Sequence, residues 1–272
     1  MSPESIAVPG QDLLDKHQIG GGDYKKIGAD YLYFFKTLGQ LSPADRVLDI
    51  GCGLGRMAAP LLGYLKPSWY RRLLSPSRPR YVGMDINSEA VDWCQKNISP
   101  LYSYARFQWM DVNSLLYNPK GKYTPDNYRF PFPDGSFDFI FLTSVFTHMR
   151  PAGVQNYLNE IKRLLVPGGR CFSTFFLIND TATQSIHDSG DLKIFLYGLK
   201  IDIHTFPCHL DGFYAEDPDV PEKVTAFDET AALSFFSNAG LSIVGDVHNG
   251  CWCGREQHVS YQDIIVAQKP GP

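Results

Sequence analysis

Residues 47–56 read Val-Leu-Asp-Ile-Gly-Cys-Gly-Leu-Gly-Arg, and this stretch decides the fold. The aliphatic run over 46–50 predicts a buried strand, and its acid, Asp49, lies near the end. Three glycines and a predicted helix start follow. Glycine lets the backbone turn sharply and approach a ligand closely, and a helix N-terminus presents free N–H groups to an anion. The stretch therefore predicts a nucleotide-like cofactor site at the carboxyl end of a parallel sheet.

The spacing of the glycines separates the cofactor classes. A dinucleotide site requires G-x-G-x-x-G, but the sixth position counted from Gly51 is Arg56. The pattern is instead D-x-G-x-G-x-G, and it resembles motif I of the class I S-adenosylmethionine (SAM) dependent methyltransferases. In that family the turn contacts the methionine part of SAM, and the acid meets the SAM ammonium group directly or through water. The resemblance implies cofactor contacts from this set: Asp49, Gly51, Cys52, Gly53, Gly55 and Arg56.

Three later positions match the same family in the same order. A second predicted strand, 80–85, ends at Asp85, and in the family this acid binds the two ribose hydroxyls, a role that suits the two acceptor oxygens of a carboxylate. The resemblance also places Ile86 on the adenine, and after the third strand it assigns adenine recognition to Asp111 and Val112. Thr143 follows the fourth strand, in the loop that lies beside the sulfonium.

The resemblance covers roughly residues 24–270 and implies an α/β fold. The expected core is a Rossmann-like sheet of seven strands in the order 3-2-1-4-5-7-6, with the last strand antiparallel and helices on both faces. We predict an N-terminal helical arm or cap over 1–40 and a SAM-binding domain over 41–272 that carries a lid insertion at 179–226. The remaining elements are predicted as follows: strands at 106–110, 137–142, 171–178, 241–247 and 261–269, and helices at 88–97, 151–165 and 228–239, the first capped by Ser88 or Asn87.

Composition agrees with a single large domain. The chain has 272 residues, 44% of them hydrophobic, and no run of about twenty apolar residues that would span a membrane. The N-terminus lacks the order of a secretion signal, and six cysteines in a chain this long do not suggest a disulfide framework. We therefore expect a cytoplasmic protein, a monomer or homodimer. Its net charge of −4 argues against a nucleic-acid partner.

Three segments depart from a minimal version of the fold. The arm contains an aromatic helix near Tyr31 and Phe35, which either packs on the sheet edge or caps SAM on a hinge at the glycines 20–22. The segment 66–80 is rich in arginine, which suits an anionic group or a solvated loop equally. The insertion 179–226 is expected to form the acceptor lid. Its run His204-x3-Cys208-His209 matches no usual zinc spacing, so we expect no metal.

The chemistry of methyl transfer directs attention to one histidine. The leaving group is a neutral thioether, so the protein chiefly aligns the nucleophile, but an alcohol or phenol gains from a base. His148, just beyond the fourth strand, is the candidate base; the alternative is that it bonds a backbone carbonyl and packs its loop. Further substrate contacts are expected from this set: Tyr24, Phe146, Trp252, Arg255 and His258.

The absence of several motifs excludes some classes of methyl acceptor. The [DNS]-P-P-[YF] stretch that stacks a flipped base is absent, and residues 143–146 read Thr-Ser-Val-Phe instead. The paired-glutamate loop of arginine methyltransferases is also absent, as is the acid after strand four that metal-assisted enzymes need. We expect SAM-dependent transfer to a small organic acceptor at a hydroxyl, as in a specialised metabolite or a sugar. N-methylation of a small amine and a non-catalytic SAM-binding sensor or partner subunit stay open.

Overall fold

The computed structural model describes residues 6–17, 22–66, 79–189, 193–196 and 199–271. Most of the arginine-rich segment 66–80 therefore lies outside the described residues, as do Gly20 and Gly21 of the predicted hinge. The helices in chain order are α1 (Gln11–Lys16), α2 (Tyr24–Thr37), α3 (Ala58–Tyr64), α4 (Ser88–Asn97), α5 (Pro151–Leu164), α6 (Asp180–Ser189) and α7 (Glu229–Ala239). The strands are β1 (Val47–Ile50), β2 (Tyr81–Asp85), β3 (Ala105–Trp109), β4 (Phe137–Leu142), β5 (Leu165–Phe175), β6 (Leu177–Ile178), β7 (Lys193–Leu196), β8 (Leu199–Asp202), β9 (Cys208–Leu210), β10 (Phe213–Ala215), β11 (Thr225–Asp228), β12 (Ser242–Ile243) and β13 (Asp263–Gln268).

The main sheet has seven strands in the order β3-β2-β1-β4-β5-β13-β12. Strands β1 to β5 pair in parallel, whereas β13 runs antiparallel to both β5 and β12. Numbered within this sheet alone, the order is 3-2-1-4-5-7-6 with the last strand antiparallel. The predicted methyltransferase topology is confirmed.

Alternate residues of each strand enter two hydrophobic cores, one on each face of the sheet, as the pleat of a strand requires. In β4, Ile140 and Leu142 pack with α5 and α7, while Phe139 and Phe141 pack with α2, α3 and α4. Phe35 of α2 is fully buried, and its ring lies 4.4 Å from that of Phe141. Helix α2 of the arm is therefore part of the main fold and covers the sheet.

The fifth strand differs from its predicted range of 171–178. Strand β5 begins at Leu165 and includes Pro167-Gly168-Gly169. The pairing with β4 shifts register between Phe137 and Phe139, so a bulge absorbs the extra residues. At Phe176 the chain leaves the main sheet, and β6 pairs with β11 instead.

The chain between β5 and α7 builds a second layer over the carboxyl end of the main sheet. Strands β6, β11, β10 and β9 form a four-stranded sheet, and β7 and β8 form a separate hairpin. A short 3₁₀ helix, Pro221–Lys223, connects this layer to the loop that follows β4, because the Lys223 carbonyl contacts His148 of that loop. None of the helices within the described residues has the length and apolar character needed to cross a membrane.

Candidate cofactor and acceptor site

A cavity of about 780 Å³ lies at the carboxyl ends of β1, β2 and β4. This volume falls in the range of about 300–1,000 Å³ that small-molecule sites occupy. One end of the cavity is walled by Asp85 and Ile86, and the other by His148 and Gln262. Eight of the predicted cofactor residues line it: Gly51, Cys52, Gly53, Arg56, Asp85, Ile86, Val112 and Thr143.

The glycine turn is held against the end of β2 by the Asp85 carboxylate. Gly53 N–H donates to Asp85 Oδ2 at 2.7 Å, and Asn87 N–H donates to Oδ1 at 2.8 Å. Burial raises the pKa of Asp85, while these hydrogen bonds oppose that shift because they stabilise the charged form. Each oxygen keeps lone-pair capacity for a ligand. Asn87 also caps α4 by accepting from Ala90 N–H at 3.1 Å, which settles the choice between Asn87 and Ser88.

Asp49 does not line the cavity, and its contact with the cofactor, directly or through water, stays a prediction. Its side chain lies behind the turn, where Tyr81 Oη donates to Oδ2 at 2.6 Å. The other oxygen, Oδ1, is buried without a hydrogen-bond partner. Burial, aided by the nearby negative charge of Asp85, raises the pKa of Asp49 to about 8. The acid therefore sits as a support beneath the glycines.

Two more predicted cofactor residues lie outside the cavity for clear structural reasons. A Cβ on Gly55 would come within 2.5 Å of Ile98 Cδ1, so this glycine allows close packing against the end of α4. The Asp111 side chain turns away and accepts from Lys122 N–H at 3.1 Å. Its neighbours Met110 and Asn113 line the cavity with Val112. This part of the cavity, where the adenine is predicted to bind, is therefore lined by two apolar side chains and one amide.

The N-terminal arm contributes a part of the wall that the sequence did not single out. His17, directly after α1, is buried, and its Nδ1 lies 2.6 Å from Asn87 Nδ2. Lys16 forms an ion pair with Glu89 of α4 at 2.7 Å. Tyr24, expected to touch substrate, is instead buried behind the glycine turn, where its hydroxyl donates to the Leu54 carbonyl at 2.8 Å. The arm thus packs on the sheet and contributes His17, Ile27 and Tyr31 to the lining of the cavity.

His148 lines the opposite end of the cavity. Its Nδ1 lies 2.8 Å from the Lys223 carbonyl and 3.3 Å from that of Glu222. A carbonyl only accepts hydrogen bonds, so Nδ1 carries the proton, and Nε2 of the neutral ring keeps its lone pair. Burial lowers the pKa of His148, which favours this neutral form. The carbonyl contact expected of a structural histidine and the geometry of a base are therefore both present.

A polar network beside His148 was not foreseen. Ser144 has a positive φ of 58° and its N–H donates to Thr174 Oγ1 at 2.8 Å. The Thr174 hydroxyl donates to Gln262 Oε1 at 2.6 Å, and Gln262 Nε2 donates to Ser144 Oγ at 3.0 Å. The three residues come from the β4–α5 loop, from β5 and from the position just before β13, which are distant in sequence. No motif within one segment signals such a network.

The remaining expected substrate residues lie away from the cavity. Phe146 is fully buried against Phe175, with ring centroids 5.0 Å apart. Trp252 and Arg255 both donate to the Asp263 carboxylate, at 2.6 and 2.7 Å, in a buried cluster. His258 is exposed, and its Nδ1 contacts nearby backbone carbonyls. Tyr261 and Gln262, directly before β13, line the cavity in their place.

The histidines of the insertion separate rather than gather. His204 lines the cavity and pairs through Nδ1 with the Glu216 carboxylate. His209 stacks on Tyr214, with ring centroids 4.6 Å apart. Within the ranges that the structure describes, no group of three or more His, Cys, Asp or Glu side chains is arranged to hold a metal ion.

A family model described as a methyltransferase domain matches residues 48–173, which span β1 to β5. The structure superposes on magnesium protoporphyrin IX methyltransferase (ChlM) from Synechocystis, solved with bound S-adenosylhomocysteine, with a TM-score of 0.52 at 14% identity and 95% coverage of both chains. Residues 48–173 therefore form a methyltransferase domain, and the fold is that of the class I SAM-dependent methyltransferases. Its cofactor is S-adenosylmethionine.

The curated relatives of this methyltransferase act on different acceptors. It is 32% identical over 203 residues to the tRNA N(3)-cytidine methyltransferase METTL2 of Bos taurus, which covers 75% of this chain and 43% of the relative. It is 30% identical over 137 residues to a fatty-acid O-methyltransferase of Mycolicibacterium smegmatis, which covers 50% of this chain and 36% of the relative. The methyltransferase thus spans less than half the length of either relative.

The residues present fit SAM at the Asp85 end of the cavity. The carboxylate there offers lone pairs to a diol such as a ribose, and the apolar wall around Met110 and Val112 suits a flat base. A Cβ on Gly51 would lie 2.4 Å from Val145 Cγ2, so the bare glycine allows the β1 and β4 loops to meet beside the cavity. This closeness brings the glycine turn next to the loop that carries His148.

Proposed function

We propose that this methyltransferase moves the methyl group of SAM to a hydroxyl of a small organic acceptor, and that His148 takes the hydroxyl proton. The observation that supports this most directly is the continuity of the cavity. One space connects the Asp85 carboxylate with the His148 ring, so cofactor and acceptor would share it. The predominance of apolar and uncharged polar groups at the His148 end suits a small neutral acceptor.

The proposed roles of the chain follow from its geometry. The cofactor supplies an electrophilic methyl group on a sulfonium and leaves as a neutral thioether. Asp85 would bind the ribose hydroxyls through its remaining lone pairs, and the turn at Gly51 and Gly53 would position the amino-acid end. His148 Nε2 would accept the acceptor's O–H proton as the new O–CH₃ bond forms. The Lys223 carbonyl fixes the ring and its tautomer during that step.

We also propose functions for the two segments outside the minimal fold. The arm over 1–40 would act as a cap, because His17 and the Lys16–Glu89 ion pair fasten it over the adenine end. The insertion over 179–226 would act as the acceptor lid, because Glu222 and Lys223 contact His148 and Glu222 also pairs with Arg150 at 2.8 Å. Residues 41–272, which include this insertion, would form the SAM-binding domain.

The test uses SAM with an isotopically labelled methyl group and a small-molecule extract of the source cells. We expect a labelled small molecule whose fragment masses place the label on oxygen. His148→Gln should lower kcat by about 10²–10⁴-fold and leave the affinity for S-adenosylhomocysteine unchanged. Label on nitrogen with His148→Gln fully active would support amine methylation, and no label with tight cofactor binding would support a sensor.

The pH profile gives a second readout for His148. The base must be neutral to accept a proton, and burial lowers its pKa below the ordinary value of 6.5. The wild-type kcat/KM, which reports the pKa of the free enzyme, should therefore rise through a midpoint below 6.5 and stay level above it. The rise should vanish in His148→Gln. A midpoint above 6.5 would contradict the assignment.

A tRNA acceptor is the second candidate function, because the METTL2 alignment covers 75% of this chain. The net charge of −4 does not favour a polyanionic partner. The same labelled SAM incubated with total tRNA discriminates the two candidates. Label in cytidine would support the tRNA function and overturn the small-molecule proposal.

A further inference from the structure

The pair formed by His204 and Glu216 has no role in the transfer described above, although His204 faces the acceptor end of the cavity. The imidazole is held on several sides. Its ring centroid lies 4.9 Å from that of Phe176 and 6.1 Å from that of Tyr261, and its backbone N–H donates to the Trp252 carbonyl at 3.2 Å. Such packing fixes the direction in which the ring points.

The carboxylate decides which ring nitrogen remains for a ligand. A carboxylate oxygen accepts hydrogen bonds, so Nδ1 of His204 donates to Glu216. Nε2 is then the ring nitrogen that can bind a ligand in the cavity. Nε2 accepts a hydrogen bond when the ring is neutral and donates one when it is protonated. A hydroxyl group satisfies both states, whereas an ether oxygen or an ammonium group satisfies only one.

The Ser144–Thr174–Gln262 network supplies a donor to the same space. Thr174 Oγ1 accepts from the Ser144 N–H, and its own hydroxyl donates to Gln262 Oε1, which fixes the orientation of the amide. Gln262 Nε2 then donates to Ser144 Oγ, which also lies 3.3 Å from Thr147 Oγ1, so one amide hydrogen of Gln262 remains for a ligand. Two imidazole nitrogens and one amide donor in one cavity match groups that both donate and accept.

Two opposite charges beside His148 offset each other. Arg150 and Glu222, which line this part of the cavity, form an ion pair at 2.8 Å. Asp126 also lines the cavity and accepts a hydrogen bond from the Thr124 hydroxyl. A neutral acceptor avoids the repulsion that a carboxylate would meet from Glu222 and Asp126. Among neutral groups, hydroxyls match the donor and acceptor pattern best.

We propose that the acceptor carries at least two hydroxyl groups, one facing His148 and a second bound by the His204–Glu216 pair. This proposal rests on the proposed O-methyl transfer and adds the substrate class, a neutral diol or polyol. His204 is then a specificity residue whose loss weakens acceptor binding, in contrast to His148, whose loss slows the transfer.

The experiment measures binding to protein saturated with S-adenosylhomocysteine. The probes are two matched pairs, cis-1,2-cyclohexanediol with cyclohexanol and catechol with phenol, titrated by NMR. In wild type we expect at least one diol to bind about five- to tenfold more tightly than its mono-ol, the difference of one buried hydrogen bond. The preference should vanish in His204→Phe and shrink in Glu216→Gln.

The matched control is His209→Phe, since His209 lies in the same segment but stacks on Tyr214 outside the cavity. It should keep the wild-type preference, and all variants should keep their affinity for S-adenosylhomocysteine, which shows that they are folded. Equal binding of both members of each pair, absence of diol binding in wild type, or a preference that survives His204→Phe would overturn the proposal. The labelled-methyl experiment reports separately on O-methyl transfer, so failure of one proposal is distinguishable from failure of the other.

Discussion

Asp49 belongs to the cofactor motif, yet its side chain does not line the cavity. Its carboxyl is buried beneath the glycine turn with one oxygen bonded to Tyr81 and the other unpartnered. Such a group holds its proton because water no longer solvates the charge. The sequence identified the residue, but the direction of its side chain depends on Tyr81, which lies on a different strand.

The raised pKa of Asp49 predicts a pH dependence of stability. The folded protein keeps this proton up to about pH 8, whereas the unfolded chain loses it near the ordinary carboxyl pKa of 3.8. The folded state therefore binds more protons between these values, and the free energy of unfolding falls as pH rises through that window. Asp49→Asn keeps an oxygen that accepts from Tyr81, and it should remove this contribution to the pH dependence of the free energy of unfolding.

The measurement is urea unfolding of the cofactor-free protein at about pH 5 and about pH 7.5. The stability of Asp49→Asn relative to wild type should rise by more than about 1 kcal/mol between the two pH values. Parallel pH curves for wild type and Asp49→Asn would refute this account of the residue.

At the scale of elements, the β1–α3 turn depends on glycine for two separable reasons. Gly51 has a φ of +80° and would place a Cβ 2.4 Å from Val145. Gly168, within β5, has the same φ of +80° but open space around its Cβ position. Gly168→Ala should therefore show backbone strain alone, about 1–2 kcal/mol.

Gly51→Ala should lower the free energy of unfolding by more than Gly168→Ala does, because the β4 loop must also move away from the turn. We expect its melting temperature to fall below that of Gly168→Ala, and its affinity for S-adenosylhomocysteine to drop while Gly168→Ala binds as wild type. Equal effects of the two substitutions in calorimetry and binding would show that the contact with Val145 has no importance.

The strands and helices of the main sheet followed from local patterns, with exceptions that have a physical cause. Strand β4 matches its predicted range of 137–142, because its apolar run is bounded by a clear turn. Strand β5 did not match, because its bulge against β4 and its exit at Phe176 depend on two different partner strands. Pairing between distant segments leaves no mark on the local sequence.

At the scale of the whole molecule, a buried ion pair joins the C-terminal segment to the layer above the main sheet. Arg255 and Asp263 are 5% and 0% exposed and lie 2.7 Å apart. Arg255 also donates to Asn179, which in turn donates to Glu229 at the start of α7. The sequence suggested Arg255 as a substrate contact. Its burial against Asp263 depends on the folded chain and could not be predicted from the local sequence.

Removal of one partner leaves the other charge buried and uncompensated. Arg255→Met should therefore lower the free energy of unfolding by about 3–5 kcal/mol, as measured by urea denaturation. Asp263 would keep its hydrogen bonds from Gly250, Leu177 and Trp252, so the fold should persist. A loss below about 1 kcal/mol would mean that water reaches the pair.

The sequence predicted the cofactor half of the site more fully than the acceptor half. Cofactor residues such as Gly53 and Asp85 lie in short motifs at strand ends, where the shared topology brings them together. Ser144, Gln262 and His204 come from three distant segments, and only tertiary packing places them in one cavity. The proposal for the acceptor therefore rests on the structure, whereas the identity of the cofactor was already indicated by the motif.

The most direct test of the central claim is calorimetric titration of S-adenosylhomocysteine into wild type, Asp85→Asn and Asp111→Asn. We predict that Asp85→Asn weakens binding by about 2–4 kcal/mol, because it loses charge-assisted hydrogen bonds and disturbs the contacts with Gly53 and Asn87. Asp111→Asn should bind as wild type, because its side chain lies outside the cavity. Wild-type affinity in Asp85→Asn, or equal weakening in both variants, would contradict the placement of the cofactor in this cavity.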